Sequence, residues 1–336
     1  MKLGRVRTPW WHRAIERLIA LFASSAILAV IAIGVFVFRQ AWPLLIDDDA
    51  LTDQGGLASL FRPRLWPGYD EPLHVWQPVG FPGKLDVIPL VVGTLKITGL
   101  TMAIAIPLGV GGAVFLSEVA PRRVREWVKA AVELLAAVPS VVVGFFVLAI
   151  LAGGVQRAFD LTYRLNAFVA AIGLAFAVVP VVLTITEDAL RTVPRELVEA
   201  SLALGARRWQ TTLGVTLPAA MPGIAAAVVL GFGRAIGETM IVLMASGNAP
   251  VMGLDPTSSA RTLTATIAAE LGEVTPGSDH WRVLFLLGAL LFVVTFALNE
   301  LGRWVVLRLR RKLRAEEVAP VSGRARRATA TAEVAS

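Results

Sequence analysis

The chain has 336 residues, of which 56% are hydrophobic and only 17% are Asp, Glu, Lys or Arg. An average soluble domain is about 45–50% apolar and about 25% charged. Together with a mean hydropathy of +0.68, this excludes an ordinary water-soluble enzyme and disorder along most of the length. The net charge is +7, and the absence of cysteine excludes disulfides, thiolate metal sites and cysteine nucleophiles. The three histidines lie far apart in sequence, so we expect no zinc site.

Six stretches of the sequence are apolar over the roughly 20 residues that a helix needs to cross a bilayer. We therefore predict an all-α, polytopic membrane protein with six transmembrane helices. The first stretch is too long for the apolar region of a signal peptide, and no small-residue cleavage site follows it. The six predicted spans cover residues 15–38, 90–116, 130–151, 166–186, 222–245 and 283–307.

The basic residues are distributed unequally between the segments that connect the spans. Both terminal segments and the segments around 122–129 and 191–208 together hold 22 Lys and Arg, whereas the three alternate loops hold eight. Cytoplasmic segments of membrane proteins carry such an excess of positive charge. We therefore expect a multi-pass protein of the cell (inner) membrane with both termini in the cytoplasm. The positive charge is then a signal of topology, and we expect no nucleic acid as a partner.

The segments outside the predicted spans differ in length and composition. The outer loop, residues 39–89, is the longest, and we expect its Trp42, Trp66 and Trp76 to anchor at the membrane interface. Its acidic run, residues 47–49, could bind a cation, but a solvated loop is the favoured interpretation. Residues 1–14 are expected to be a cytoplasmic segment and residues 313–336 a disordered tail. The basic cluster 308–314 is expected to contact anionic membrane lipid.

Residues 187–221 are too polar to cross a membrane and too long for a tight turn. Pro194 suits the first turn of a helix, and Gly205 can adopt the positive φ that ends one helix and redirects the chain. Leu217 and Pro218 mark the approach to the fifth span. We predict a helix–turn–helix at the cytoplasmic surface that is connected to this span. A protein that binds it from the cytoplasm could then move the span.

The same segment resembles the loop that identifies the membrane subunits of ABC importers. The pattern of that family is Glu-Ala-Ala, three residues, Gly, nine residues, Ile, one residue and Leu-Pro. The resemblance implies a type I importer permease fold and a coupling helix that docks on a separate ATPase subunit. The alternative is an ordinary amphipathic loop at the interface. The matching residues are Glu199, Ala200, Ser201, Gly205, Val215, Leu217 and Pro218, with Ser201 and Val215 as the two departures.

Four further stretches resemble the permeases of phosphate importers, within a similarity that runs from about residue 92 to residue 307. They are residues 133–145, 184–190, 234–240 and 263–268. The Ala-Trp-Pro at residues 41–43 and the long outer loop make the chain more similar to the PstC kind of subunit than to the PstA kind. The resemblance implies that this chain forms half of the translocation path for inorganic phosphate and that a PstA-like subunit forms the other half.

The resemblance also implies partners that deliver substrate and energy. A soluble phosphate-binding protein would bring phosphate to the outer mouth, and ATP-binding subunits would drive alternating access. The sequence contains no Gly-x-x-x-x-Gly-Lys-Ser/Thr, so the chain has no P-loop of its own. We therefore expect a transport subunit without enzymatic activity or a cofactor of its own, with ATP and Mg²⁺ used by the partner ATPase.

Two charged residues, Arg234 and Glu238, fall inside the fifth predicted span, four residues apart and so about 40° apart around a helix. A charge near the bilayer centre costs about 2.5–3.5 kcal/mol and usually faces a bundle interior or an aqueous path. We hypothesise that Arg234 attracts passing phosphate, that Glu238 pairs with it, and that Thr239 belongs to the same path. The alternative is a structural ion pair. Lys96, near the outer end of its span, is expected to snorkel and to have no role.

Two rival transport functions remain open from the sequence. A permease for another oxyanion, such as molybdate or sulfate, would share most of these features, although residues 234–240 favour phosphate. An ion-driven secondary transporter would carry internal repeats with interrupted helices in both halves, whereas the Glu-Ala-Ala type of loop occurs only once. A sensory or scaffolding membrane protein is disfavoured by the charged pair in the fifth span.

Overall fold

In a computed structural model of the chain, the described residues are 10–46, 51, 56–66, 70–80 and 83–318. The acidic run Asp47–Asp49 and the tail beyond Val318 lie outside these residues. Within the described part, the regular structure is almost entirely helical, with a 3₁₀ turn at Leu57–Leu60 and strands β1 (Trp76–Gln77) and β2 (Lys84–Leu85). The helices are α1 (Trp10–Ala41), α2 (Pro43–Ile46), α3 (Ile88–Val114), α4 (Arg122–Ala137), α5 (Ser140–Phe146), α6 (Ala152–Phe159), α7 (Ala167–Arg191), α8 (Arg195–Ala203), α9 (Arg208–Thr211), α10 (Leu217–Gly237), α11 (Met240–Ala245), α12 (Leu263–Glu270) and α13 (Asp279–Val318).

Six helical segments of the described chain are long and apolar enough to cross a membrane, which confirms the predicted number of spans. Three of these segments contain a π-helical turn. The helix continues through the turns at Val147–Leu151 and Thr212–Thr216, whereas the turn at Phe115–Val119 ends the second span, because Ala120 is extended. The six segments are Ala14–Ala41, Ile88–Val119, Ser140–Phe159, Ala167–Arg191, Arg208–Gly237 and Asp279–Lys312.

The third span begins later than the predicted 130–151. Residues up to Ala137 belong to α4, a separate amphipathic helix. Val138 is extended (φ −65°, ψ 128°), as expected for a residue that precedes proline. The charged residues of α4 recur at helical spacing and give it a polar face that a span would not carry; they include Arg122, Glu126, Lys129 and Glu133. The span itself starts after Pro139 and consists of α5, a π turn and α6.

The terminal helices extend beyond the predicted spans. Helix α1 already begins at Trp10, before the predicted start of the first span at residue 15. Helix α13 continues to Val318, so residues 313–318 are helical and do not belong to the predicted tail.

The chain divides into two compact units, Met1–Val87 with Glu270–Val293, and Ile88–Ala269 with Val294–Ser336. In the first unit, α1 packs against the first half of α13 through two edge-on aromatic contacts. The ring centroids of Phe36 and Phe285 are 5.7 Å apart, and those of Phe38 and Phe292 are 6.2 Å apart. Outside these contacts most of α1 is exposed, as expected for a span at the edge of a bundle.

Among the described residues of the outer loop, the short strands β1 and β2 pair antiparallel. Trp66 and Trp76 are buried, with 8% and 3% exposure. The predicted interfacial role is therefore wrong for these two residues, because they form the core of the loop itself. Trp42 is 56% exposed, and its anchoring at the interface stays a prediction.

Hydrogen bonds to two carboxylates also hold this unit together. His74 Nδ1 lies 2.6 Å from the buried Asp86 carboxylate. The Glu270 carboxylate accepts from the Trp76 indole at 3.1 Å and lies 2.8 Å from His280 Nε2. Residues 270–280 are thereby tied to the outer loop, although they are about 190 positions away in sequence.

Helix α7 is the centre of the second unit, and more than half of its residues are buried. Two glycines from different helices pack closely against its Val182 side chain. A Cβ atom would lie 2.8 Å from the Val182 side chain at Gly109 of α3, and 2.9 Å from it at Gly231 of α10. Small residues allow membrane helices to approach this closely. The second and fifth spans are therefore packed directly on the fourth.

Candidate functional site

The fifth span is interrupted at residues 237–239, which we call the helix break. Helix α10 ends at Gly237 instead of continuing to Ala245 as predicted, Glu238 is extended (φ −72°, ψ 134°), and α11 begins at Met240. The Glu238 carboxylate accepts from the Thr239 amide at 3.1 Å, and the Glu238 carbonyl accepts from the Thr264 hydroxyl at 2.9 Å. Two side-chain groups thus pair a backbone amide and a backbone carbonyl at the point where the helical pattern stops.

Three of the stretches that resemble phosphate permeases meet at the helix break. Thr264 comes from the stretch 263–268 and bonds to Glu238 of the stretch 234–240. Gly144 of the stretch 133–145 approaches α11 so closely that a Cβ atom would lie 3.2 Å from the Met240 carbonyl oxygen. The sequence motifs identified these stretches one by one. Only the tertiary structure shows that the stretches meet at one place and that Thr264 and Gly144 make the contacts there.

Arg234 lies in the last turn of α10, and its side chain is exposed in this chain. The predicted ion pair with Glu238 is not formed, and among the described residues Arg234 has no hydrogen bond or ion pair. The reason is that the chain leaves helical geometry at Glu238, whose carboxylate bonds to the Thr239 amide. A guanidinium within a membrane span faces protein or water rather than lipid tails. Arg234 therefore marks the face of α10 that a partner or an aqueous path must cover.

Lys96 of α3 does not snorkel, contrary to the prediction. It is 8% exposed, and its ammonium group donates to the Asp255 carbonyl at 3.2 Å and to the Ser258 hydroxyl at 2.9 Å. The amide and the hydroxyl of Thr257 donate to the Asp255 carboxylate and lower its pKa. Lys96 thus fixes the loop between α11 and α12 to the second span.

The predicted helix–turn–helix is present in residues 194–218, which we call the surface segment. It is shorter than the predicted 187–221, because α7 continues to Arg191, and its second half is already part of the helical segment Arg208–Gly237 that forms the fifth span. Helix α8 begins after Pro194, Gly205 has a φ of 87°, and α9 begins at Arg208. The hydroxyls of Ser201 and Thr211 lie 3.0 Å apart and join the two helices. From α9 the chain continues through a π turn into α10, with Leu217 and Pro218 in its first turn.

The surface segment presents apolar side chains to its surroundings. Leu204 is 89% exposed, Trp209 60% and Leu213 58%. Glu199 and Ala200 of the importer-type motif are exposed as well. A cluster of exposed large apolar groups rimmed by polar residues is typical of a protein interaction site.

A polar cleft of about 730 Å³ opens beside the surface segment. Arg125 of α4 anchors one wall, since it donates to the carbonyls of Leu116 and Ser117 at 2.6 and 2.7 Å. Glu199, Arg195 and Arg208 line the same cleft. The cleft carries both signs of charge and is lined in part by residues of the surface segment, so it extends the candidate interaction surface.

Six apolar helices, an interrupted fifth span and an exposed helix–turn–helix before it define a multi-pass membrane component of a transport system. The chain belongs to the family described as binding-protein-dependent transport system inner membrane component, whose model matches residues 105–314. It is 37% identical over 230 residues to a probable ABC transporter permease protein, YqgH, of Bacillus subtilis, which covers 68% of this chain and 74% of the relative.

Two other relatives are named phosphate transport system permease proteins. The chain is 33% identical over 253 residues to PstC of Mesorhizobium japonicum, covering 70% of this chain and 76% of that protein. It is 36% identical over 261 residues to PstC 1 of Mycobacterium tuberculosis, with the same coverage. These identities place the chain among ABC permease subunits, which are transport components rather than enzymes.

Solved structures show the same fold at low sequence identity. An inward-facing structure of the MetNI methionine ABC transporter matches 66% of this chain and 95% of its own, with a TM-score of 0.54 and 20% identity. A bacterial ABC transporter for the polysaccharide alginate matches 88% of this chain and 99% of its own, with a TM-score of 0.54 and 18% identity. The fold is therefore that of type I ABC importer permeases, as predicted.

The helix break yields a prediction about stability. Thr264→Val removes the hydroxyl that pairs the Glu238 carbonyl, and we expect it to cost about 1–2 kcal/mol and to speed hydrogen exchange of residues 237–241. Thr266→Val is the matched control, because that buried hydroxyl bonds to the Thr262 carbonyl, which the Thr266 amide also pairs. Thermal unfolding and mass-spectrometric exchange measure both effects. Equal exchange at the break in the two variants would contradict the assignment.

Proposed function

We propose that this chain is the permease subunit of an ATP-driven importer and forms half of the translocation path for inorganic phosphate. The observation that carries the proposal is the helix break with its exposed, unpaired Arg234 in a chain of this family. The names of the relatives from Mesorhizobium japonicum and Mycobacterium tuberculosis support phosphate as the substrate. Substrate selectivity would lie largely in the binding protein, so this chain needs no tight phosphate cage.

Arg234 would supply positive potential to the passing anion. The Glu238 carboxylate is held by the Thr239 amide, so it does not neutralise Arg234 directly. It nevertheless lies in the same short segment and opposes permanent trapping of an anion there. The Thr239 hydroxyl is a further group of the path that could bond to phosphate oxygens. A weak site of this kind lets the substrate enter and also leave.

The surface segment would couple transport to a separate ATPase. Leu204 and Trp209 are exposed and can form an apolar contact; Glu199 and Ala200 belong to α8, and Gly205 makes the turn that follows it. The helix from Arg208 to Gly237 is continuous. A displacement of the surface segment at its start would therefore also move Arg234 near its end. This supports alternating access in which ATP binding pulls on the segment and hydrolysis resets it.

The proposal includes a definite set of partners. They are a PstA-like second permease subunit, ATP-binding subunits that use ATP and Mg²⁺, a soluble phosphate-binding protein and membrane lipid. Arg234 faces outward from this chain, which is consistent with a path completed by the second permease. The excess of positive charge at the surface segment and at both ends supports cytoplasmic termini.

Competition between oxyanions separates the proposal from its nearest rival. Uptake of labelled phosphate by cells or vesicles carrying the complete transporter should resist an excess of molybdate or sulfate. Suppression of uptake by either of those anions at that excess would instead favour a permease for that oxyanion.

Reversal of the charge at Arg234 tests its role in the path. We expect Arg234→Glu to lower phosphate uptake at least about tenfold, because a negative charge in the path repels the substrate. Assembly with the partner subunits should persist, since no described ion pair depends on Arg234. Arg157→Gln is the control, because Arg157 is an exposed residue at the end of α6. Loss of assembly in Arg234→Glu, measured by copurification, would favour a structural role.

The ATPase contact can be tested at Leu204. Leu204→Glu should weaken copurification of the ATPase at least about tenfold, because a buried charge opposes docking of an apolar contact. Leu254→Glu is the matched control, since Leu254 is 82% exposed in the loop between α11 and α12, which is predicted to lie on the opposite side of the membrane. Unchanged copurification of Leu204→Glu would contradict the proposed docking surface.

A further inference from the structure

A buried carboxylate lies in the fourth span, one turn before the end of α7 at Arg191. Glu187 of α7 is completely buried, and two cations neutralise it. Arg191, in the next turn of the same helix, lies 2.5 Å from Oε1. Lys129 of α4 lies 3.5 Å from Oε2. We call these three residues the Glu187 ion cluster.

Lys129 is the member of the cluster that joins two separate helices. Glu187 Oε2 has no hydrogen-bond donor among the described residues, so the Lys129 ammonium is the described cation facing that oxygen. A buried carboxylate has lost its hydrating water, so an unpaired charge there is costly and a nearby cation stabilises it. Apolar contacts support the same connection, because Val128 and Val132 of α4 pack on the cluster that contains Leu190 of α7.

Helix α4 is connected to the helix break through α5. It ends at Ala137, and after Val138 and Pro139 the chain enters α5. Gly144 of α5 contacts the backbone of α11, which begins immediately after the break. A movement of the end of α7 can therefore reach the break through Lys129, α4 and α5. This route is separate from the continuous helix Arg208–Gly237.

We infer that the Glu187 ion cluster is a transmission element, with Glu187 and Lys129 as positioning residues that make α4 move with the surface segment. This inference rests on the proposed ATP-driven function. In it, ATP-driven displacement of the surface segment acts on both sides of the helix break, through α10 on one side and through α4 and α5 on the other. Loss of Lys129 weakens the second action, because only the apolar contacts of α4 with α7 then remain, and leaves the first intact.

Cysteine labelling tests the inference without reference to the transported substrate. The chain contains no cysteine, so Thr239→Cys introduces a single reporter at the helix break. The complete transporter in lipid nanodiscs is treated with a water-soluble maleimide, with and without ATP, and labelling of this chain is read by mass. We expect ATP to change the labelling rate, and Lys129→Met to reduce that change at least about threefold.

Two further variants give the test its controls. Arg122→Met removes a cation of α4 that pairs within the same helix, with Glu126 at 2.8 Å, and should leave the ATP-dependent change intact. Lys129→Arg keeps the cation and should restore it. An unchanged response in Lys129→Met, or an equal loss in Arg122→Met, would overturn the inference. Absence of any ATP response in Thr239→Cys alone would overturn coupling through the break, whereas failure of phosphate uptake alone would count against the substrate proposed above.

Discussion

The helix break depends on the hydrogen bond that Thr264 donates to the Glu238 carbonyl. In a membrane the backbone of a span can leave helical geometry only where other protein groups pair the freed oxygens and amides. Thr264 supplies one such group from α12, and the Glu238 carboxylate pairs the following amide. The interruption is therefore built into the fold, and it places Arg234 at the end of a helix instead of within one.

Around this break the structure combines closely packed helices with Arg234, a charged residue that has no hydrogen bond or ion pair among the described residues. The fourth span packs tightly against α3 and α10 through glycines at Val182, which makes these helices a firm support. The surface segment before α10 exposes leucine and tryptophan side chains where a partner can push or pull. In the proposed function, a rigid support and an exposed segment would let a chain without a P-loop respond to ATP hydrolysed by a partner.

Features set by local chemistry were predictable from the sequence. The lengths of the apolar stretches predicted the six spans. Pro194 and Gly205 predicted the helix–turn–helix, because the backbone preferences of proline and glycine do not depend on distant residues. The start of the third span was missed because Ala130–Ala137 reads as apolar, although α4 turns its charges to one side. The environment of Lys96 was misjudged, the buried ion cluster of Glu187 was not predicted, and the pairing of Glu238 was misjudged, all for a common reason. Their partners lie 159, 58 and 26 positions away in sequence, so only tertiary structure brings them together.

Phosphate uptake into proteoliposomes tests the central claim most directly. The vesicles would contain this chain with its second permease and ATP-binding subunits, and the phosphate-binding protein would be present on the opposite side from ATP. The account predicts accumulation of labelled phosphate that requires ATP, the ATPase subunit and the binding protein together. Uptake that persists without the ATPase subunit, or that follows an imposed ion gradient alone, would contradict it and favour a secondary transporter.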